Sequence, residues 1–328
     1  LGRFLSVVAK PGERVCQRVR VADFSDGSPV TIPVAVLSGR RDGPALYVQA
    51  GVHGDEHTGI DMAWRLIQNT DLEALSGTLV VVPIANPPSY LTRSRGYMLE
   101  ERFLQDANRL FPGNRNGLLT ERISAVLFED FLLQADFSID IHCPLDGSEM
   151  VCFSHVGSAE DGDGHFARRE RLATAFGAPF MFYRPQHLQL GSSDMTRSLA
   201  FQAEQAKRAM IMVELGLSRT ISKAASDFGV AGIGRIMQAM GMLPPEGDLP
   251  KPGRRFSSIR LLHGNSGGGL RLTAPLGAEV TAGQEIGTIV DAFGAPLERL
   301  VSPWDGFVMR RMTYGAVATG AEVVWIGQ

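Results

Sequence analysis

The sequence predicts an α/β fold, a mixed sheet flanked by helices, followed by a smaller all-β C-terminal domain. Three observations carry that reading. Between residues 45 and 240, short apolar runs alternate with amphipathic stretches, the pattern of strands covered by helices. At 243–255 the composition shifts to Pro244-Pro245-Glu246-Gly247-Asp248-Leu249-Pro250-Lys251-Pro252-Gly253, as in a linker. Beyond it, short β-like runs are punctuated by glycines such as Gly264, Gly277, Gly283, Gly287, Gly306, Gly315 and Gly320. The 328 residues leave room for two domains, expected at 1–243 and 256–328.

Taken in order, residues 1–43 contain strand-like runs, among them 30–37, bounded by Asp26-Gly27 and Asp42-Gly43. Pro33 inside that run cannot donate to a ladder, so an edge strand is expected. Residues 45–50 read as a buried strand that empties into a turn carrying His53, Glu56 and His57. Ile60, Ala63, Trp64 and Ile67 then fall on one face of a helix, with Thr58 as the expected N-cap. A second buried strand, 78–84, runs into Asn86-Pro87-Pro88, which is expected to stop regular structure.

From 89 to 116 the chain is polar and loop-like yet holds Arg93, Arg95, Arg102, Arg109 and Arg115, with Asn108 beside Arg109. Solvated arginines are the bland reading. Their concentration in a long loop leaving a central strand favours binding roles for Arg95 and Arg109, because guanidinium groups grip carboxylates bidentately and stabilise oxyanions. Residues 119–134 form a predicted helix that buries Leu119, Ile123, Val126, Leu127 and Phe131. Strands at 149–154, 179–183 and 209–214 are interleaved with helices near 166–176 and 196–207, and the helix 223–240 closes the domain. Gly267 to Gly269 lack the setting of a phosphate loop and read as a hairpin turn.

Composition excludes several classes. A hydrophobic share of 44% with 20% charged residues is that of a globular protein, and a net charge of −3 without a basic stripe gives no footprint for nucleic acid or a membrane surface. No apolar segment approaches the roughly 20 residues of a membrane span. The first residues lack the apolar core of a signal peptide, about 7 to 15 residues, and the chain starts at Leu1, which leaves a trimmed leader open. Cys16, Cys143 and Cys152 are too few and scattered for a disulfide framework, so a reducing compartment, the cytoplasm, is expected. Homo-oligomerisation stays open.

The candidate chemistry gathers at strand ends. His53 and Glu56 follow a strand at once, and His with carboxylate is what zinc takes in catalytic sites, three protein ligands plus an open position. The run 137–142 alternates as a strand, with Asp140 and His142 on one face, so His142 is well placed as the third ligand and Asp140 as its orienting carboxylate. Alone, His142 reads as a hydrogen-bonded core histidine, and Cys143, pointing to the opposite face, as a small core residue. Glu214 ends the apolar strand 210–213 and must be paired, exposed in a cleft or raised in pKa, which is how a general base is made. The run His53-Gly54-Asp55-Glu56-His57 also spells H-x-x-E-H, in which both histidines bind zinc. That pattern needs a helix, and the helical period begins only near Thr58, so His53 with Glu56 is favoured and His57 reads as a helix-entry residue.

These residues resemble the succinylglutamate desuccinylase and aspartoacylase family, itself similar to zinc carboxypeptidases. The resemblance rests on Gly51-Val52-His53-Gly54-Asp55-Glu56 with Gly59, Asn86-Pro87 followed by Arg95, Asp106-Ala107-Asn108-Arg109-Leu110-Phe111, Asp140-Ile141-His142 and Val213-Glu214-Leu215-Gly216. It implies one zinc per chain on His53, Glu56 and His142, with Glu214 as catalytic base and Arg95 polarising the scissile carbonyl. It further implies Asn108 and Arg109 as substrate holders, and Arg197, in Thr196-Arg197-Ser198-Leu199-Ala200, as a further carboxylate anchor. Two stretches, 95–108 and 197–214, are longer than in aspartoacylase, and Ser193 stands where a substrate-binding tyrosine is expected, so N-acetylaspartate is not carried over. The tail, with Ser302-Pro303-Trp304-Asp305-Gly306, looks like a biotinyl or lipoyl β-sandwich, but no Lys follows Lys251, so a packing or lid role is expected.

The resulting expectation is a zinc amidohydrolase that cleaves the amide of a small N-acylated amino acid or related amine. The alternatives are a metallocarboxypeptidase acting on peptide or peptidoglycan fragments, and a non-catalytic ligand-binding module.

Overall fold

The computed structural model describes residues 2–4, 7–101, 105–145, 147–158, 164–185 and 195–328. Arg102 and Ser193 lie outside the described residues. In chain order, β1 (Gly2–Phe4), β2 (Val7–Ala9), β3 (Arg14–Asp23) and β4 (Pro29–Ser38) lead to β5 (Arg41–Ala50), α1 (His57–Asn69), β6 (Ser76–Val82) and α2 (Pro87–Thr92). There follow α3 (Leu119–Val126), β7 (Phe137–His142), β8 (Ser148–Gly157), α4 (His165–Phe176), β9 (Phe180–Tyr183), α5 (Leu199–Gln205), β10 (Ala209–Leu217) and α6 (Lys223–Ala239). The C-terminal strands are β11 (Arg254–Phe256), β12 (Ile259–His263), β13 (Gly268–Leu272), β14 (Glu279–Val280), β15 (Glu285–Val290), β16 (Pro296–Val301), β17 (Gly306–Met312), β18 (Ala316–Val317) and β19 (Glu322–Gly327).

Among the described residues the large sheet has thirteen strands on the path β12-β19-β17-β8-β10-β7-β5-β6-β4-β3, with β9 and β14 pairing with β8 and β17, and β11 with β9. Its centre, β6, β5, β7 and β10, is parallel. Parallel strands are covered on both faces and read as continuous apolar runs, so this centre was legible in the sequence. On one face α1, α4 and α6 bring Ile60, Leu66, Phe176 and Ile236 against Leu46, Val48 and Ile211. On the other, Ile123, Phe131 and Leu199 pack with Tyr47, Val80 and Met210. Each fully buried side chain of this kind is worth about 1.5–3 kcal/mol.

Several local expectations are corrected. β4 is not an edge strand: it lies between β6 and β3. Its ladder with β6 covers only Ala35 to Ser38, so the missing N–H of Pro33 falls outside that ladder. Asn86-Pro87-Pro88 starts a helix instead of stopping structure, with Asn86 capping Ser89 N–H and proline in the first turn, where no intrahelical donor is needed. α1 begins at His57, and the Thr58 hydroxyl donates to the Thr220 carbonyl (3.1 Å) and accepts from Ser222 N–H (3.1 Å). Its buried stripe runs through Ile60, Met62, Ala63 and Leu66, leaving Trp64 at the surface, because the helix packs on α6 as well as on the sheet. The predicted helix 119–134 changes from α to π geometry at Leu127–Phe131 and ends as a 3-10 turn. Gly268 and Gly269 lie within β13, opposite Val317 and Ala316, rather than in a hairpin turn.

β13, β15, β16 and β18 form a separate antiparallel sheet. Ile286, Ile289 and Leu300 from it pack with Val280, Val308 and Ile326. β17 pairs with β8, Arg310 opposite Met150, so hydrogen bonding runs from the central sheet into the C-terminal strands. Among the described residues no helix is long and apolar enough to cross a membrane.

Candidate metal centre and active site

β5, β7 and β10 are parallel neighbours, so their C-terminal ends open on one edge of the sheet. After Ala50 the chain turns at Gly51, whose φ of +67° is one that glycine adopts without strain. Ala85 N–H donates to the Ala50 carbonyl and Asn86 N–H to that of Gly51, both at 2.9 Å, tying the turn to the end of β6. At Gly54 the chain passes so close to α2 that a Cβ would lie 2.1 Å from the Ser89 carbonyl oxygen. Gly54→Ala is therefore expected to destabilise the fold by about 1–3 kcal/mol. Chemical denaturation checks this, and a midpoint equal to wild type would show that the turn can yield.

The turn and β7 bring His53, Glu56 and His142 together, each at most 2% exposed. Their ligand atoms lie within 4.8 Å of one another. His53 Nδ1 is 2.6 Å from Glu56 Oε1, and His142 Nδ1 is 2.9 Å from Glu56 Oε2. The outer nitrogens are also held: His53 Nε2 is 3.1 Å from Asp106 Oδ1 and His142 Nε2 is 2.8 Å from Asp140 Oδ2. Asp140 in turn accepts from Gln49 Nε2 (2.9 Å), and the Tyr47 hydroxyl donates to Gln49 Oε1 (2.6 Å). Gln49 stands opposite Asp140 in register, so the relay is a consequence of strand alternation. Two imidazoles, each held by an outer carboxylate, and a carboxylate between them are a donor set that fits a divalent metal.

Charge in this group is strongly redistributed. Burial alone would raise Glu56, but His53 and His142 pull its pKa down to about 2. Burial would lower His142, yet Asp140 and Glu56 lift it well above the usual imidazole value. His53 is also raised, Glu56 and Asp106 outweighing burial and Arg95. For Asp106 burial is likewise overcome: His53, Arg95 and Arg109 hold it far below the usual range.

Glu214 pairs in register with His142 on β7 and Phe153 on β8, just before an irregularity at Gly216. Side chains opposite each other in register share a face, so its carboxyl joins the histidine side of the sheet. Its Oε2 is buried without a hydrogen-bond partner among the described residues. Burial, the largest influence, and the charge of Glu56 push its pKa up to about 8. Arg95, half-buried, donates from Nε to Asp106 Oδ2 at 3.0 Å and lines the cleft. Asn108 Nδ2 is 3.5 Å from His142 Nε2, and its Oδ1 accepts from Leu199 N–H at 2.9 Å. Arg109 donates to the Asn108 carbonyl (2.8 Å), and Arg197 reaches the Leu110 carbonyl (3.3 Å); neither lines the cleft beside Glu56. His57 is the first residue of α1, as read from the sequence.

That cleft, about 310 Å³, is bounded by Asp55, Glu56, Arg95 and Leu145 and, from the C-terminal strands, by Arg310, Met312 and Glu322. Sequence reasoning assigned no role to Asp106, Arg310 or Glu322. Asp106 had a signal, a carboxylate two residues before Asn108, whereas the other two enter only through the pairing of β17 with β8.

The profile of the Succinylglutamate desuccinylase/Aspartoacylase catalytic domain matches residues 42–240. The chain belongs to that family. A deacylase of the succinylglutamate desuccinylase/aspartoacylase family is an amidohydrolase, and the buried histidine and glutamate group agrees with that chemistry. Among similar proteins, the N-alpha-acetyl-L-2,4-diaminobutyric acid deacetylase of Halomonas elongata is 26% identical over 313 residues, 93% of this chain and 88% of that protein. The product-bound ectoine utilization protein EutE (DoeB) from Ruegeria pomeroyi superposes with a TM-score of 0.82 at 23% identity, covering 97% of this chain and 96% of that one. A succinylglutamate desuccinylase/aspartoacylase from Rhodobacter sphaeroides gives 0.81 at 23% identity, with the same coverage. Likeness at this identity is a likeness of fold.

Proposed function

We propose that this deacylase holds one zinc ion on His53, Glu56 and His142 and hydrolyses the amide of a small N-acylated diamino acid. The observation that carries the metal is the convergence of two buried imidazole nitrogens on one buried carboxylate, 2.6 and 2.9 Å from its oxygens. Zinc bound there would polarise the acyl carbonyl and lower the pKa of a water. Glu214 takes the proton of the attacking water and returns it to the departing amine. Arg95 faces the oxyanion as the carbonyl becomes tetrahedral. Asp106 and Asp140 keep the imidazoles oriented, with Gln49 and Tyr47 behind Asp140. Asn108, Arg109 and Arg197 are proposed to hold the substrate, the arginines through its carboxylate.

The substrate class is supported by the Halomonas elongata relative, named for an acetylated diaminobutyric acid and similar along nearly the whole chain. A cleft of about 310 Å³, walled on one side by Arg310, Met312 and Glu322, supports a small molecule over a peptide or peptidoglycan strand. The family match, ending at residue 240 just before the proline-rich stretch, supports a hydrolase domain at 1–243 and a β domain at 256–328 that closes over the site. Three free cysteines support a reducing compartment.

Elemental analysis of the purified protein tests the metal. One zinc per chain is expected, lost in His53→Ala. No metal in either protein, even after zinc is offered, would remove the zinc mechanism.

A further inference from the structure

We propose that Asp55, with Glu322 beside the same cleft, recognises a second, unacylated ammonium group on the substrate; the proposal rests on the deacylase reading above. Asp55 is only 6% exposed and lines the cleft next to Glu56. Among the described residues no side chain donates a hydrogen bond to its carboxylate, and the charges of His53 and Arg95 act on it across the cleft. Arg95 borders the same cleft and its Nε is engaged by Asp106, which turns the guanidinium towards that carboxylate. A carboxylate that borders the cleft in this way is open to a cationic group on the ligand, which would replace the water there.

Glu322 supplies the second half. Its Oε1 accepts from both Arg310 and Trp325, while among the described residues nothing donates to Oε2, and its side chain stays 24% exposed. The carboxylate is held in place, because Arg310 also donates from Nε to Ser148 Oγ (2.8 Å) and its guanidinium lies 4.9 Å from the Trp325 ring. Asp55 comes from the turn after β5 and Glu322 from the start of β19, so the two acids reach the cleft from opposite ends of the chain. A primary ammonium, three donors on a compact charge, is the group that suits a wall carrying these two carboxylates. A neutral side chain would displace water from Asp55 without replacing its hydrogen bonds, which is how a polar site rejects a substrate lacking the matching group. Asp55 and Glu322 are thus specificity residues for N-acylated diamino acids.

The test is calorimetric binding of L-2,4-diaminobutyrate and L-2-aminobutyrate, which share a carbon skeleton and differ in the second ammonium. The zinc-loaded wild type, Asp55→Asn and Glu322→Gln would each be titrated with both amines. Wild type is expected to favour the diamine by about tenfold or more, and both variants to lose most of that preference. Zinc content, measured in parallel, shows whether Asp55→Asn disturbs Glu56; Glu322→Gln lies outside the metal site and reads the preference independently. Indifference of wild type to the second ammonium, or an undiminished preference in both variants, overturns the proposal. Hydrolysis of N-acyl amino acids by an indifferent wild type removes the ammonium site and leaves the deacylase; diamine preference without hydrolysis does the reverse.

Discussion

Glu214→Gln is expected to keep its zinc and to lose turnover by roughly 10²- to 10⁴-fold, the usual contribution of a positioned acid–base group. Glutamine fills the same space beside His142 but cannot take a proton, so kcat falls while substrate still binds. The group is suited to the task because burial lifts its pKa to about 8, close to the pH at which it must both take and return a proton. The same shift has a consequence for folding. A carboxyl whose folded pKa lies above its ordinary value of 4.5 stabilises the fold fully below that value, and the contribution is lost as pH rises through about 8. Metal-free Glu214→Gln should therefore melt close to wild type at pH 4.5 and above it at pH 9. Near-wild turnover would dismiss Glu214 as the base, and a Tm difference independent of pH would dismiss the buried-acid account.

The parts of this protein that were legible in its sequence are those whose cause is local. β7 was read at its full extent because Phe137 to His142 alternates, and that alternation also put Asp140 behind His142. The triad was legible because His142 ends β7 while His53 and Glu56 lie in the short turn between β5 and α1, so local sequence places all three. Pro33 misled because the edge rule assumes a partner along the whole strand, whereas the β4–β6 ladder is short. Asn86-Pro87-Pro88 misled because proline breaks a helix interior but suits a first turn, and the pattern fits both. Glu322 and Arg310 were out of reach for another reason. Their contribution depends on β17 pairing with β8 more than 150 residues away, which no local period encodes.

Zinc uptake should release about two protons per ion at pH 6 and fewer at pH 9, because ligand imidazoles must be neutral and the metal-free protein holds both charged. The cause is electrostatic: Glu56 stays ionised to about pH 2 between two histidines, and Asp106 and Asp140 sit on their far sides. An imidazole whose folded pKa is raised stabilises the metal-free fold fully below its ordinary 6.5, and the contribution is lost as pH climbs through the raised value. Zinc reverses that slope by displacing the protons. Its affinity should rise by up to about a hundredfold per pH unit while both imidazoles start protonated. Titration calorimetry in buffers of different ionisation enthalpy counts the protons directly. Asp140→Asn removes the charge that holds the second proton on His142, so it should lower the count at neutral pH and weaken zinc by about 10- to 100-fold. Binding without proton release at pH 6 would mean that the metal sits elsewhere, and that the carboxylates behind the histidines serve packing rather than metal binding.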